Sequence, residues 1–323
     1  MTVPSRRRRL LVASLVGAGL LVAAFLGYRA HASAGLLKRE LRFGDRERSF
    51  YVRVPPGHSR DRPAPLVIAL HGGGGSAVFL DSATGYSLTR EADSRGWVLV
   101  LPQGVARGWN DGRPPVDRAS RARAGVDDVG FILALIDDAQ AQYGIDTRRV
   151  FVTGISNGGA MALRLALDAS DRIAAIAPVT MSLPRDLEGR SPGRAVSVLL
   201  VNGTRDPVVP YGGGQIRVLG KDRGEVLSTP ATLDFWAKLH GCTTRAPPRL
   251  LPDVDPADGT RVSFESRSGC ADGARVALYA IDGGGHTWPS GQQYLPASVV
   301  GRVSRDLDAT RAIFDFFAAE APR

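Results

Sequence analysis

The chain has 323 residues, of which 44% are hydrophobic and 23% are charged. This composition excludes wholesale disorder, which requires fewer apolar residues, and the 38 glycines and 21 prolines lack the three-residue period of collagen. The formal net charge is +9, but residues 1–34 contribute five arginines and no acidic residue, so that a chain starting at Gly35 would carry +4. No basic run follows, and we therefore expect no nucleic-acid partner.

The N-terminal residues have the pattern of a signal peptide. Arg6–Arg9 precede an apolar run over residues 10–26, and two small-x-small cleavage patterns follow within residues 30–34. This order predicts a signal peptide over residues 1–34 and a secreted protein, extracellular or periplasmic. An uncleaved membrane anchor is the alternative, because the apolar run is close to the shortest length that spans a bilayer.

Beyond residue 35 the sequence alternates strand and helix patterns. A hairpin is predicted from strands at Arg39–Phe43 and Ser49–Val54 with a turn at Gly44-Asp45. Apolar runs typical of strands buried on both faces occur at Leu66–Leu70, Trp97–Leu101, Val150–Thr153, Ile173–Val179, Val196–Val201 and Val276–Ile281. Helical periodicity occurs at Asp128–Gln142, Gly158–Asp168, Thr229–His240 and Leu307–Ala319. The alternation predicts an α/β fold with a mostly parallel sheet flanked by helices, in a single domain over residues 36–323.

The stretch 243–260 is rich in Pro and Asp and is predicted to be a surface loop. Cys242 and Cys270 are the only cysteines, and in an oxidising compartment they are expected to form one disulfide. Two buried free thiols are the alternative.

A candidate nucleophile follows the strand predicted at Val150–Thr153. The run Gly154-Ile155-Ser156-Asn157-Gly158 fits the G-x-S-x-G turn, in which small residues let the serine hydroxyl project from a tight strand-to-helix connection. Gly189-Arg190-Ser191-Pro192-Gly193 also fits the pattern, but it follows no predicted strand and opens no helix. Ser156 is therefore predicted to be the nucleophile.

A serine nucleophile requires a base, and hydrolases of this type place the acid and then the histidine after the serine. Of the later histidines, His240 ends a predicted helix, whereas His286 lies in a glycine-rich loop after the last predicted strand, and we predict His286 to be the general base. Asp206 follows the strand at Val196–Val201 and is predicted to orient His286.

The oxyanion formed during acyl transfer needs backbone donors. The N–H of Asn157, next to the nucleophile, is one predicted donor. The glycine-rich loop after Leu66–Leu70 is predicted to supply the other from Gly73, with Gly74 as the alternative. His71 is expected to organise this loop rather than to catalyse.

Together these runs resemble a known group of enzymes. The residues concerned are Leu70–Gly74, Val126–Phe131, Gly154–Gly159, Asn202–Tyr211 and Gly285–Pro289. They resemble the secreted polyhydroxybutyrate depolymerase and feruloyl esterase group of α/β-hydrolases, which includes carbohydrate esterase family one and LpqC-like esterases. The resemblance implies the α/β-hydrolase fold, ester hydrolysis without a metal or organic cofactor, and a triad of Ser156, Asp206 and His286. Within Val126–Phe131, Asp127 and Asp128 are expected to cap a helix.

The predicted function is that of a secreted serine esterase acting on small or oligomeric esters. Trp109, Trp288 and Tyr211 lie close in sequence to the predicted site and are candidates for lining its pocket, with core packing as the alternative for the tryptophans. The substrate class stays open between hydroxyalkanoate oligoesters and feruloylated or acetylated polysaccharide fragments. A serine peptidase of the same fold and a non-catalytic binding protein are the rival functions.

Overall fold

The computed structural model describes residues 35–320. The chain divides into two units, residues 1–36 and residues 37–323, and the fold below is that of the second unit. The predicted signal peptide or anchor, residues 1–34, lies outside the described residues.

Strands of the described residues form one large sheet and one small hairpin. The strands are β1 (Leu37–Phe43), β2 (Arg46–Arg53), β3 (Ala64–Leu70), β4 (Val98–Pro102), β5 (Ile145–Ile155), β6 (Ala175–Val179), β7 (Ser197–Gly203), β8 (Gly214–Val218), β9 (Lys221–Val226), β10 (Thr244–Leu250), β11 (Arg261–Ser268) and β12 (Val276–Asp282). The large sheet has the order β1-β2-β4-β3-β5-β6-β7-β12-β11-β10, and β8 pairs with β9 separately.

The helices of the described residues connect these strands. They are α1 (Ala77–Ala83), α2 (Ser87–Arg95), α3 (Arg118–Arg123), α4 (Asp128–Tyr143), α5 (Asn157–Asp168), α6 (Thr229–Leu239), α7 (Ala297–Val300) and α8 (Ala309–Ala318). Polar side chains cap several of them: Asp127 accepts the Gly130 N–H at 2.8 Å at the start of α4, and Ser228 accepts the Ala231 N–H at 3.1 Å at the start of α6.

The centre of the large sheet is parallel, as the apolar runs predict. Pairs β4-β3, β3-β5, β5-β6, β6-β7 and β7-β12 are all parallel, and antiparallel strands complete both edges. Every residue of β3, β4, β6 and β7 is buried, because helices cover both faces of these strands. The carboxyl ends of the parallel strands therefore lie at one edge of the sheet, where side chains from distant parts of the chain can meet.

Aromatic rings pack the C-terminal helix α8 onto the sheet. Phe314 stacks on Trp97 with ring centroids 5.4 Å apart, and Phe317 stacks on Phe151 at 4.8 Å. These contacts join α8 to the residue before β4 and to β5, the strand that leads to Ser156.

The prediction of a surface loop over 243–260 is wrong for its first part. Residues 244–250 form β10, an edge strand whose residues are all exposed. Pro247 and Pro248 lie at the register shift between Ala246 and Arg249, where the pairing with β11 is interrupted and their missing N–H groups are not needed. An exposed strand of this kind lacks the alternating apolar pattern by which strands are predicted.

The predicted disulfide is present and joins Cys242 to Cys270. Cys242 follows the end of α6, and Cys270 follows β11. A hydrogen bond from the Ala271 N–H to the His240 carbonyl, at 2.8 Å, lies beside it. Closing this loop of 28 residues contributes about 3–4 kcal/mol to stability in the chain-entropy model.

Candidate active site

Ser156 occupies a strained turn between β5 and α5. Its backbone has φ 56° and ψ −120°, a conformation that non-glycine residues rarely adopt. The Ser156 N–H donates to the Val179 carbonyl at 2.9 Å, and its own carbonyl accepts from the Ala160 N–H at 2.9 Å. These bonds hold the turn between β6 and the first turn of α5, so that the serine side chain lies at the carboxyl edge of the sheet.

The glycines on either side of Ser156 are required by close backbone packing. A Cβ on Gly158 would overlap the Leu70 carbonyl oxygen, and a Cβ on Gly154 would lie 2.6 Å from the Gly158 carbonyl carbon. The turn thus presses against the end of β3, and only glycine fits at both positions. By contrast, Ser191 of the second G-x-S-x-G run is exposed in irregular structure that follows no strand.

Asp206 and His286 form a directly bonded pair. His286 Nδ1 lies 2.8 Å from Asp206 Oδ2, and both side chains are buried. The other carboxylate oxygen, Oδ1, accepts the N–H groups of Val208 at 2.7 Å and Val209 at 2.9 Å. One oxygen is therefore held by the backbone while the other faces the imidazole, an arrangement that fixes the ring orientation and leaves Nε2 for a second partner.

The sheet order brings these three positions to one edge. Ser156 follows β5, Asp206 follows β7 and His286 follows β12, and these strands are parallel, with only β6 between β5 and β7.

Tyr294 supports the loop of His286 and was missed by the sequence analysis. Its hydroxyl donates to the His286 carbonyl at 2.8 Å. Burial and, to a smaller extent, the nearby Asp206 carboxylate raise the pKa of Tyr294 to about 12, so the phenol keeps its proton and remains a donor. No turn or spacing signal marks this residue, because its contact depends on how the chain after Trp288 folds back.

The loop after β3 presents a backbone donor beside Asn157. A Cβ on Gly73 would lie 3.7 Å from the Asn157 Cβ, so the two backbones are neighbours. The Gly74 N–H is already bonded to the Arg107 carbonyl at 2.7 Å, and the Gly75 N–H to the Gly72 carbonyl at 3.0 Å. Within residues 35–320 the N–H groups of Gly73 and Asn157 have no acceptor, which favours Gly73 over Gly74 as an oxyanion donor.

His71 organises this loop as a neutral imidazole. Its Nδ1 donates to the Gly72 carbonyl at 2.8 Å, and its Nε2 accepts the Gly104 N–H at 3.0 Å. Since a carbonyl only accepts and an N–H only donates, these two bonds determine the tautomer. Burial lowers the pKa of His71 to about 4, and nearby Arg107 and Arg123 act in the same direction. The ring is therefore uncharged at neutral pH and joins the loop to the chain after β4.

The side chain of Asn157 anchors the loop that carries Trp109. Asn157 Oδ1 accepts the Trp109 N–H at 2.7 Å, while Nδ2 donates to Asp111 Oδ2 at 2.6 Å. From the sequence, a role is predicted only for the backbone N–H of Asn157. The Asn157 side chain faces the Trp109 loop, while its backbone N–H lies directly after Ser156.

Asp128 also holds this loop. Asp127 caps α4 as predicted, but the prediction that Asp128 caps the helix is wrong, because both carboxylate oxygens of this fully buried residue accept bonds from outside α4. Its Oδ1 pairs with Arg48 at 2.7 Å, and its Oδ2 accepts the Asn110 N–H at 2.7 Å. A buried ion pair thus connects β2, the start of α4 and the Trp109 loop.

The three aromatic residues predicted near the pocket differ in burial. Trp109 is 1% exposed, and its Nε1 donates to the His71 carbonyl at 2.8 Å. Trp288 is 2% exposed, and its Nε1 donates to Thr310 Oγ1 at 3.0 Å, which favours a packing role. Tyr211 is half-buried, and burial, followed by the charge of Glu265, raises the pKa of its phenol. Its side chain stays the more accessible candidate for substrate contact.

Two further observations concern metal-ligand groups and membrane-spanning helices among the described residues. Among the described residues, no group of three His, Cys, Asp or Glu side chains is arranged to hold a metal ion. None of the helices in this part of the chain is long and apolar enough to cross a membrane.

Comparisons with known proteins agree with this architecture. The profile of the family described as phospholipase/carboxylesterase matches residues 57–218. NocK of Nocardia uniformis subsp. tsuyamanensis, a provisionally named esterase, is 33% identical over 296 residues, which cover 89% of this chain and 84% of NocK. Feruloyl esterase B of Piromyces equi is 29% identical over 76% of this chain, and the match spans 44% of that enzyme.

Among solved structures, acetyl xylan esterase from Aspergillus awamori superposes with a TM-score of 0.55 at 15% identity, covering 87% of this chain and 99% of that enzyme. This similarity concerns the fold alone. The family profile and the similarity to NocK extend to the sequence itself. The chain therefore belongs to the phospholipase/carboxylesterase family of α/β-hydrolases and is a carboxylic ester hydrolase.

Proposed function

We propose that the protein is a secreted serine esterase in which Ser156 is the nucleophile, His286 the general base and Asp206 the residue that orients it. The observation that carries this proposal is the 2.8 Å contact between His286 Nδ1 and Asp206 Oδ2, at the sheet edge where the strained Ser156 turn also lies. A buried carboxylate bonded to one imidazole nitrogen favours the tautomer that accepts a proton at the other.

Acylation begins when His286 removes the hydroxyl proton of Ser156 and the serine oxygen attacks the ester carbonyl. The negative charge that develops on the carbonyl oxygen is stabilised by the N–H groups of Gly73 and Asn157. His286 then donates its proton to the leaving alcohol, and the acyl group remains on Ser156. Asp206 stabilises the imidazolium formed between these two steps.

Deacylation reverses these roles with water as the nucleophile. His286 removes a proton from water, the hydroxide attacks the acyl-enzyme, and the same two N–H groups stabilise the second tetrahedral intermediate. Collapse of this intermediate releases the carboxylic acid and returns the proton to Ser156.

Hydrolysis of p-nitrophenyl butyrate tests the proposed nucleophile. Ser156→Ala is expected to lower kcat by about 10³-fold or more, because the acyl-enzyme cannot form. Ser191→Ala is the matched control, since it removes the serine of the second G-x-S-x-G run and is expected to leave kcat unchanged. Equal activity of both variants, or hydrolysis of peptide amides without hydrolysis of esters, would refute the proposal, the second result in favour of the peptidase.

The natural ester is proposed to be a hydroxyalkanoate oligoester or a feruloylated or acetylated polysaccharide fragment. The names of the Piromyces equi relative and of a second one from Aspergillus terreus, 25% identical over 76% of this chain, favour the feruloyl class. A panel of 3-hydroxybutyrate oligomers, methyl ferulate and acetyl-xylan distinguishes the classes, with kcat/KM as the measure. A preference of tenfold or more for one class assigns it.

Secretion is part of the proposal and has its own test. The signal pattern of residues 1–34 and the Cys242–Cys270 disulfide support an oxidising compartment. N-terminal sequencing of the mature protein is expected to begin at Ser33 or Gly35. A membrane-bound protein that retains Arg6–Arg9 would favour the anchor instead.

A further inference from the structure

A cationic cavity lies beside the candidate active site. It has a volume of about 200 Å³ and is lined by Trp109, Asp111, Arg113, Arg123 and Arg223 among others. This volume provides space for a carboxylate group and a few carbon atoms. Its walls come from the Trp109 loop, the end of α3 and the β8-β9 hairpin.

Two of the three arginines are already neutralised by acidic partners. Arg113 pairs with Asp111 at 2.5 Å, and it also donates to the Arg223 carbonyl at 2.8 Å, which fastens β9 to the loop. Arg223 pairs with Asp117. The carboxylates near the cavity are therefore engaged, and these two ion pairs add no net charge to it.

Arg123 is the exception. Its Nε is buried and has no hydrogen-bond partner within residues 35–320, and no carboxylate of that region forms an ion pair with it. Burial and the neighbouring charge of Arg113 lower the pKa of Arg123, against the opposing effect of Asp111 and Asp128. The Arg123 side chain is half-buried and its buried Nε has no acceptor, so a carboxylate bound in the cavity would pair with a guanidinium that no acidic side chain within residues 35–320 neutralises.

The guanidinium of Arg123 lies near Asn157, the residue directly after the proposed nucleophile. The point that a Cβ on Gly108 would occupy is 2.8 Å from Asn157 Oδ1 and 3.0 Å from Arg123 Cζ. The charge of Arg123 also acts on His71, at the start of the glycine-rich loop after β3. The cavity thus adjoins the groups that are proposed to bind the ester carbonyl.

We propose that this cavity binds a carboxylate carried by the ester substrate, with Arg123 as its principal partner. The inference rests on the proposed ester hydrolysis and narrows it to esters that bear a free acid group, such as the chain end of a hydroxy-acid oligomer or a half-ester of a dicarboxylic acid. Arg123 is a specificity residue in this scheme and takes no part in proton transfer.

Binding of a simple carboxylate tests the site independently of catalysis. Calorimetric titration with 3-hydroxybutyrate is expected to show saturable binding to the intact protein, weakened about tenfold by Arg123→Gln, because the bond to a charged partner is lost. Arg121→Gln is the matched control, since Arg121 is exposed on the same helix and outside the cavity lining. No binding to the unmodified protein, or equal weakening by both variants, would overturn the proposal.

Kinetic ratios place the carboxylate on one side of the scissile bond. The first ratio is kcat/KM for the free-acid dimer of 3-hydroxybutyrate divided by kcat/KM for p-nitrophenyl butyrate. The second ratio is kcat/KM for the mono-p-nitrophenyl ester of glutaric acid divided by the same kcat/KM for p-nitrophenyl butyrate. Arg123→Gln is expected to lower the first ratio about tenfold if the alcohol portion carries the acid, or the second if the acyl portion does. Ratios unchanged in both arms would overturn the inference.

The two proposals can fail separately. A protein that hydrolyses neither the butyrate nor the carboxylated esters lacks the proposed function, and the calorimetric result then decides on the cavity by itself. A protein that hydrolyses p-nitrophenyl butyrate but does not bind 3-hydroxybutyrate keeps the proposed function and loses the cavity assignment.

Discussion

The side-chain amide of Asn157 is bonded to both backbone groups of Trp109: Oδ1 accepts the Trp109 N–H at 2.7 Å, and Nδ2 donates to the Trp109 carbonyl at 3.1 Å. Asn157, whose backbone N–H is proposed as an oxyanion donor, therefore also holds the Trp109 loop in place through its side chain. The position of the Trp109 loop and the proposed stabilisation of the oxyanion consequently depend on the same residue.

Substitution of Asn157 separates its side chain from its backbone. Asn157→Ala keeps the backbone N–H and is expected to lower the free energy of unfolding by about 1–3 kcal/mol, because the buried groups of the Trp109 loop lose their partners. Asn157→Asp is expected to be worse, since it places an oxygen where Nδ2 now donates to Asp111 Oδ2 at 2.6 Å. Urea unfolding measures both, and an Asp variant more stable than the Ala variant would contradict this reading of the contact.

Gly158, two residues after the proposed nucleophile, provides a steric prediction. Gly158→Ala is expected to lower the free energy of unfolding by about 3 kcal/mol or more and to abolish esterase activity, because the new Cβ would overlap the Leu70 carbonyl at the end of β3. Gly193→Ala, at the equivalent position of the second G-x-S-x-G run, places its Cβ 3.7 Å from Ser170 Oγ, an ordinary contact. In thermal unfolding and in p-nitrophenyl butyrate hydrolysis, the Tm and kcat of Gly193→Ala should be close to those of the unmodified protein.

Much of this arrangement is predictable from local sequence, and the reason is physical. The parallel strands are buried on both faces and appear as continuous apolar runs, while Gly154 and Gly158 mark a turn that only small residues permit. Ser156, Asp206 and His286 each lie within a few residues of the end of such a strand, so their positions at one sheet edge follow from the strand pattern.

Other features depend on contacts that no local pattern records. Asn157 meets Trp109 and Asp111 across more than forty residues of chain, and Arg48 meets Asp128 across eighty. The exposed strand β10 contains two prolines and lacks apolar alternation, so the loop predicted there was wrong. Helices α1 and α2 were not predicted, and α2 has few apolar positions to signal it.

The low pKa of His71 predicts how stability depends on pH. An unfolded histidine takes up a proton near pH 6.5, whereas burial delays protonation of folded His71 to about pH 4. Between these values the unfolded state binds more protons, so stability falls as the pH decreases and levels off below the folded pKa. At pH 4.5 the loss attributable to His71 is expected to be about 2–3 kcal/mol relative to pH 7.5.

His71→Gln isolates this contribution because glutamine does not titrate. Urea unfolding at pH 7.5, 5.5 and 4.5 should show a smaller loss of stability for the variant than for the unmodified protein, whatever the variant's stability at pH 7.5. Parallel pH profiles for the two proteins would show that His71 is protonated in the folded state near its ordinary pKa.

The adjacent aspartates at the start of α4 make the sharpest comparison of buried and exposed charge. Asp128→Asn is expected to destabilise the protein by about 3–5 kcal/mol, because it leaves Arg48 buried without its charged partner. The new amide NH₂ would also face either the Arg48 guanidinium or the Asn110 N–H, both of which are donors. Asp127→Asn should change stability by less than about 0.5 kcal/mol, since asparagine caps a helix as well as aspartate does. Both substitutions remove one negative charge from neighbouring positions, so a general effect of net charge would appear equally in both. Denaturant midpoints that shift alike for the two variants would contradict the structural role assigned to the Arg48–Asp128 pair.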